Sequence, residues 1–517
     1  MHPASQNQAN QLQGARFSLE LAALVAGLLL VAIPTAQLLL FKDDHVHIFP
    51  ALLKDYASHF SQFTYDYGLT RPLGLLYFYA IYTLSLASLP VAHLVQYALH
   101  ATAAIILFLI FSKHLEKLTA ALIALLVVVL PFFSEQYGWF AAGNASLALL
   151  ILICQIVVLD SKKLGIPAKM VALVALQFAG VLLYEILFFT FIPLVFALLI
   201  STKPTIKGSK IFSAILLFIP SLTYYILRTV IFPSHSGLAR EMPINANIIA
   251  TALSNLATMA NNLFFLFFAR GSIEFFWAYN LSNGVLLIIS NGLLLLTALA
   301  VAGLSVLAMY KSHLDYQPAS KVHQSESVVL NPVFWIFLSV TSILPALLLI
   351  NPALPFRVIA LPLYAAIIAV VIMVYKYSRS VALGIVAFLV VFFTPVSISI
   401  LDQMRLVALD DERHFIQIVE GVNKIIDEDE LVAVQLVNMP SSTRTNFTYG
   451  EYLSACASSY WCLQAGVNRR SGSIGRVYVG KIDQEPELRV IPFKYDPQTR
   501  SLVLSSNTGK EGDNSVH

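Results

Sequence analysis

The stretch VAHLVQYALHATAAIILFLIFS, residues 91–112, decides the fold. It contains no Asp, Glu, Lys or Arg, and it matches the run of about 20 apolar residues that a helix needs to cross the hydrocarbon core of a bilayer. Outward from it, ten more apolar runs recur: 17–41, 117–133, 144–159, 168–184, 186–202, 211–232, 284–309, 333–350, 358–376 and 382–401. An all-α polytopic membrane fold of about eleven transmembrane helices is predicted. Composition agrees. Of 517 residues, 58% are hydrophobic and 12% charged, with a mean hydropathy of +0.75. That leaves too little polar surface for a soluble enzyme of this size. The formal net charge of +3 makes no electrostatic case for nucleic acid.

Basic residues set the orientation. With a cytoplasmic N-terminus, the inner loops hold thirteen Lys and Arg, from Arg16 and Lys113 through Lys162 and Lys163 to Lys376 and Arg379. The outer loops before residue 402 hold six: Lys42, Lys54, Arg71, Arg240, Arg270 and Arg357. The balance closes only if 42–90 stays outside. Pro72–Leu89 is therefore predicted as an interfacial or re-entrant helix, opened by a proline at its first position. Residues 1–16 read as a cytoplasmic tail, 17–41 as an uncleaved anchor, and 17–401 as the membrane domain.

From 402 onward ordinary polarity returns, and residues 402–517 carry 12 of the 32 Lys and Arg. A small soluble α/β domain on the extracytoplasmic (periplasmic) side is expected there. It should hold a helix near 407–427 and strands at Leu431–Val437, Arg476–Ile482, Leu488–Phe493 and Ser501–Ser505. Cys456 and Cys462 lie in this domain. An oxidising compartment permits a disulfide between them, and two independent thiols is the other reading.

Ionisable groups at membrane depth are costly and mark function by default. The acids of the membrane domain gather on the outer side: Asp43, Asp44, Asp55, Asp66, Glu135, Glu185, Glu241 and Glu274. Arginines beside carboxylates at a lipid–water boundary suit a phosphate-bearing lipid. The guanidinium supplies forked donors, and a carboxylate can take a proton from an attacking hydroxyl. Asp43-Asp44, alone, also reads as a solvated helix end. His93 and His100 share a helix face seven residues apart, a spacing that favours structural hydrogen bonds over metal ligation. Glu185 ends a predicted span among Leu183, Tyr184 and Ile186, a setting that solvates a carboxylate poorly.

The order of these features is itself informative. An acidic pair follows span one, then come Arg71-Pro72-Leu73, Tyr77, Pro90, His93, His100, Pro131, Glu135, Trp139 and Gly143, with Arg357 and Pro362 later. In this order the chain resembles the GT-C superfamily of membrane glycosyltransferases. It looks most like the O-mannosyltransferase-type branch, which includes the transmembrane and tetratricopeptide-repeat mannosyltransferases and their bacterial relatives. Phe132 stands where that pattern has a His, Tyr184 where it has a Lys, and no repeat array follows. The resemblance implies transfer of a sugar from a polyprenyl-phosphate-linked donor to a cell-envelope glycan, lipid or protein on the extracytoplasmic side of the plasma membrane. It assigns Asp43 or Asp44 as the base of an inverting attack and places Arg71 and Arg357 on the donor phosphate. Glu135 or Glu185 orients the site, His93 belongs to the substrate-binding set, and no metal or other cofactor is indicated. The competing readings are a transporter or flippase of lipid-linked sugars, which favours repeated halves and broken helices, a glycan polymerase, and a membrane scaffold.

Overall fold

The computed structural model describes residues 4–41, 44–67, 69–201, 207–235, 250–257, 327–347, 356–425, 431–440, 456, 460–471, 477–478 and 489–505. The predicted span 284–309, Lys42, Asp43, Arg240, Glu241, Arg270 and Glu274 lie outside the described residues, as does the side chain of Arg357.

The protein is mostly helical. In chain order the helices are α1 (Ala4–Ala36), the short α2 (Asp44–His47) and α3 (Phe49–Leu53), α4 (Tyr56–Tyr67), α5 (Pro72–Ala87), α6 (Leu89–Phe111) and α7 (Lys117–Val129). They continue with α8 (Pro131–Gly138), α9 (Asn144–Asp160), α10 (Ile166–Leu183), α11 (Phe191–Ser201) and α12 (Lys207–Ile226). The last four are α13 (Pro332–Leu347), α14 (Phe356–Tyr377), α15 (Arg379–Asn423) and α16 (Tyr460–Ser471). Among the described residues six helices are long and apolar enough to cross a membrane, or seven if the bent pair α7–α8 is one span. Glu20–Ala36, Glu185–Ile200 and Pro332–Pro345 are apolar but shorter.

Helix α7 sits at the centre, buried from Thr119 to Val129 without interruption. Its sequence is apolar all round, as a helix enclosed by others must be. Helices α1, α6, α8, α14 and α15 pack around it. The sequence predicts one span over 117–133, but the chain bends by 59° between α7 and α8. Pro131 is the cause. It lacks the N–H for the helical ladder and forces Leu130 into extended backbone (φ −67°, ψ 123°). The carbonyls at the break need other donors, since a bilayer supplies none. Tyr137 Oη donates to Val128 O at 2.8 Å and Ser397 Oγ to Val129 O at 2.7 Å.

Helix α5 starts and ends at the same end of the bundle. Arg71 at its start meets Glu185, just beyond α10, while its C-terminus leads at Ser88 directly into α6. His93, in the second turn of α6, stacks on Phe140 just before α9. The far end of the bundle is marked by His114, Asp160 and Ser327.

Helix α15 is continuous for 45 residues. The predicted last span and the predicted helix near 407–427 are therefore one rod. Its final turns leave the bundle and supply Phe415, Ile418 and Val422 to a second core. That core is closed by α16 and a four-stranded sheet, β1 (Val432–Val437), β2 (Val477–Tyr478), β3 (Arg489–Asp496) and β4 (Ser501–Leu504), ordered β2-β1-β3-β4. Strand β1 is parallel to β2 and β3, and β4 is antiparallel to β3, with Val434 opposite Ile491 and Phe493 opposite Leu504. A disulfide joins Cys456 to Cys462, with Cα atoms 5.3 Å apart. Helix α16 packs on α2, so this unit touches the loop that follows α1.

Candidate functional site

Two centres form at the sheet-bearing end of the bundle. The first is built on Arg71, which occupies left-handed backbone (φ 51°, ψ 52°) immediately before Pro72. A residue with a Cβ pays about 1–3 kcal/mol for such a conformation, and functional sites are where it persists. The conformation turns the side chain away from α5 and toward the end of α10. Arg71 Nε donates to Glu185 Oε2 at 2.6 Å, and the guanidinium lies 4.6 Å from the centre of the Tyr184 ring.

Arg228 reaches the same carboxylate from the other side, Nη1 to Glu185 Oε1 at 3.5 Å. It projects from a π-helical turn, Leu227–Ile231, that ends α12, a form of backbone common at functional sites. Three bonds strap the two arginine-bearing segments together. Leu69 N–H donates to Phe232 O (3.2 Å), His235 N–H to Tyr65 O (3.0 Å) and Ser234 Oγ to Asp66 O (2.6 Å). Burial pushes the Glu185 carboxyl up, but Arg71 and then Arg228 outweigh it and hold it below the usual carboxylate range. Among the described residues the two guanidiniums converge on this one carboxylate, with Arg71 34% and Arg228 23% exposed.

The second centre is Asp44, fully buried in the first turn of α2. Its Oδ2 accepts from Phe41 N–H at 2.9 Å; its Oδ1 accepts from Tyr82 Oη at 2.7 Å and from Ala141 N–H at 3.1 Å. The last two donors come from α5 and from the turn Phe140–Ala142. Phe140 carries the Tyr82 ring edge-on at 5.8 Å and His93 stacked at 4.2 Å. Gln96 of α6 holds the turn: its Nε2 donates to Gln136 O (2.7 Å) and Trp139 O (2.8 Å), and its Oε1 accepts from Tyr77 Oη (3.0 Å). Gly143 makes this possible, because a Cβ there would lie 2.6 Å from Gln96 Oε1.

Of the residues the sequence singles out, the structure brings Arg71 to Glu185, and His93 to the turn that binds Asp44. Glu135 lies between α7 and α9, fully buried within the short helix α8. Arg357 lies in the first turn of α14. Helix α5 joins the two centres. Arg71 and Tyr82 are eleven residues apart on it, about 16 Å at the helical rise. Sequence reasoning passed over Arg228, although an arginine inside an apolar run was the signal that could have found it. It also passed over Gln96 and Tyr82, whose roles have no local signature.

At the far end, Asp160 and Ser327 both bond the same nitrogen, His114 Nε2, at 3.3 and 3.2 Å, and Ser327 Oγ also donates to Asp160 at 2.8 Å. A nucleophile relay needs the two partners on opposite ring nitrogens, so this cluster is a clasp. Among the described residues no three His, Cys, Asp or Glu side chains gather as metal ligands. No protein-family model and no curated protein sequence matches this chain.

Proposed function

We propose that this chain is an integral-membrane glycosyltransferase of eleven spans. It moves a sugar from a polyprenyl-phosphate-linked donor to a cell-envelope acceptor at the extracytoplasmic face. The observation that carries the reading is the pair of arginines on one glutamate, half open, at the same end of an apolar bundle as a buried aspartate. Two partly exposed guanidiniums side by side suit a phosphate, and the neighbouring apolar helices suit its lipid. The disulfide at that end fits an oxidising compartment, as does the excess of basic residues in the opposite loops.

In this reading a sugar-phosphate headgroup lies along α5. Its phosphate sits at Arg71 and Arg228, and its anomeric carbon points toward the loop of Asp43 and Asp44. The acceptor oxygen attacks that carbon, one aspartate takes the hydroxyl proton, and the carbon–phosphate-oxygen bond breaks in line. The leaving polyprenyl phosphate keeps the electron pair, and the guanidiniums neutralise the charge that grows on it. Because three donors already occupy the Asp44 oxygens, Asp44 is the anchor of the loop and Asp43 the base. Arg357, Glu135 and His93 complete the set of binding residues.

The test is sugar transfer in membranes carrying Asp43→Asn, Asp44→Asn and the double substitution. Transfer should be abolished in the first and the double variant while membrane insertion is unchanged; full activity in all three sinks the assignment. Glycans from a deletion strain then name the product. The bend between α7 and α8 favours a second reading, a lipid-linked-sugar flippase. Translocation of the lipid-linked sugar across liposomes without any transfer would select it.

A further inference from the structure

Helix α2 is a single turn, too short to hold itself together, and its neighbours define it. On one side Asp44 is bonded to α5 and to the Phe140–Ala142 turn. On the other side stands His45, fully buried, with neither ring nitrogen hydrogen-bonded among the described residues. Its ring meets Phe415 of α15 edge-on, with centroids 5.0 Å apart and planes at 84°. Burial first, and the guanidiniums of Arg469 and Arg470 second, push the His45 imidazole well below its ordinary range, so it stays neutral. Both arginines are paired with Glu412 of α15, and Asp44 is the acid next to His45 in the chain.

Phe415 is itself wedged. It lies directly over Gly466 of α16, where any Cβ would overlap the ring. The start of α16 is tied by the Cys456–Cys462 disulfide, and Cys456 N–H donates to Asp411 Oδ1 at 3.0 Å. Helices α15, α16 and α2 therefore converge on one phenylalanine. The loop that carries the acidic pair cannot move away from α5 without displacing it.

We infer that the C-terminal unit is a positioning element for the acidic loop, and that the contact of Phe415 with His45 is the point through which it acts. The kinetic part of this inference rests on the glycosyltransferase reading; the structural part does not. His45 and Phe415 are positioning residues, acting through Asp44 and its neighbour.

The experiment uses the full chain in nanodiscs and compares Phe415→Leu, His45→Ala and His45→Phe with the parent. Hydrogen exchange is followed over residues 41–48, with α6 as an internal reference. An edge-on aromatic pair is worth up to about tenfold in an equilibrium, so Phe415→Leu and His45→Ala should raise exchange over 41–48 by about that factor and leave α6 unchanged. His45→Phe, which keeps the ring, should restore protection. In the transfer assay the first two should lower kcat by a similar factor with donor KM unchanged. Should Phe415→Leu also unfold the sheet, seen as lost protection in β1 and β3, the His45 pair alone carries the test. Unchanged exchange over 41–48 in His45→Ala overturns the inference. Raised exchange in a protein whose parent transfers no sugar leaves the clamp standing and removes the glycosyltransferase reading instead.

Discussion

Replacing Gln96 by Leu tests how the turn Phe140–Ala142, which follows α8, is maintained. Leu nearly matches the volume of Gln, so the change isolates the hydrogen bonds. Gln96 makes three, to Gln136 O, Trp139 O and Tyr77 Oη. The two carbonyls keep one donor each, Ser146 Oγ and Ala142 N–H, whereas the Tyr77 hydroxyl loses its acceptor. Two lost bonds at about 1 kcal/mol each and one orphaned hydroxyl at about 1–3 kcal/mol, less a gain for the added apolar surface, give a loss of about 3 kcal/mol. Tyr77→Phe alone should cost about 1 kcal/mol, and in the Gln96→Leu background nothing, because it removes the group the first change orphaned. Unfolding in detergent by thermal or denaturant titration measures all four corners of the cycle. Exchange over 136–144 should rise in parallel, and Ala141 N–H should lose protection with the loop of Asp44. A Gln96→Leu protein within about 0.5 kcal/mol of the parent, or costs that simply add, would refute the reasoning.

Arg71→Gln and Arg228→Gln should each raise donor KM in the transfer assay, and together they should leave no measurable transfer; parental kinetics in the double variant would remove the phosphate role from this cluster. Burial lowers His47 from 6.5 to about 4, and burial with His47 nearby does the same for His59. The folded pKa values lie below the unfolded ones, so the unfolded chain takes up protons first, and stability falls as pH drops from 6.5 to 4. For His47 the loss approaches about 3 kcal/mol, and the half-exposed His59 contributes less. Hydrogen exchange over 44–67, corrected for intrinsic rates, should report it, and a pH-independent loop would contradict it. Cys456→Ser with Cys462→Ser should cost the sheet-bearing unit about 2 kcal/mol of stability, visible as an earlier unfolding transition with the bundle transition in place.

How much was legible in the sequence differs by element. Ten of the eleven predicted spans fall wholly or largely on described residues and are mostly helical there, because an apolar run in a bilayer has no other way to satisfy its backbone, and six helices, or seven with the bent pair, are long and apolar enough to cross a membrane. The strands of the C-terminal unit appear within a few residues of their expected places, because alternation reports a half-buried sheet directly. Pro131 is visible too, but an apolar window counts residues and ignores a missing N–H, so 117–133 reads as one span.

What the sequence determined by itself is therefore a helical bundle rich enough in apolar surface for a membrane, and the residue types that are expensive to place in it. Only the tertiary structure decided which of those residues meet. Arg71 and Glu185 are 114 positions apart and Arg228 another 43 beyond, yet they share one carboxylate. Asp44 draws its donors from residues 41, 82 and 141. Hydrophobic periodicity is a property of one helix and fixes what that helix buries. A polar contact between helices depends on their rotation and depth, which are set by packing against all the others at once.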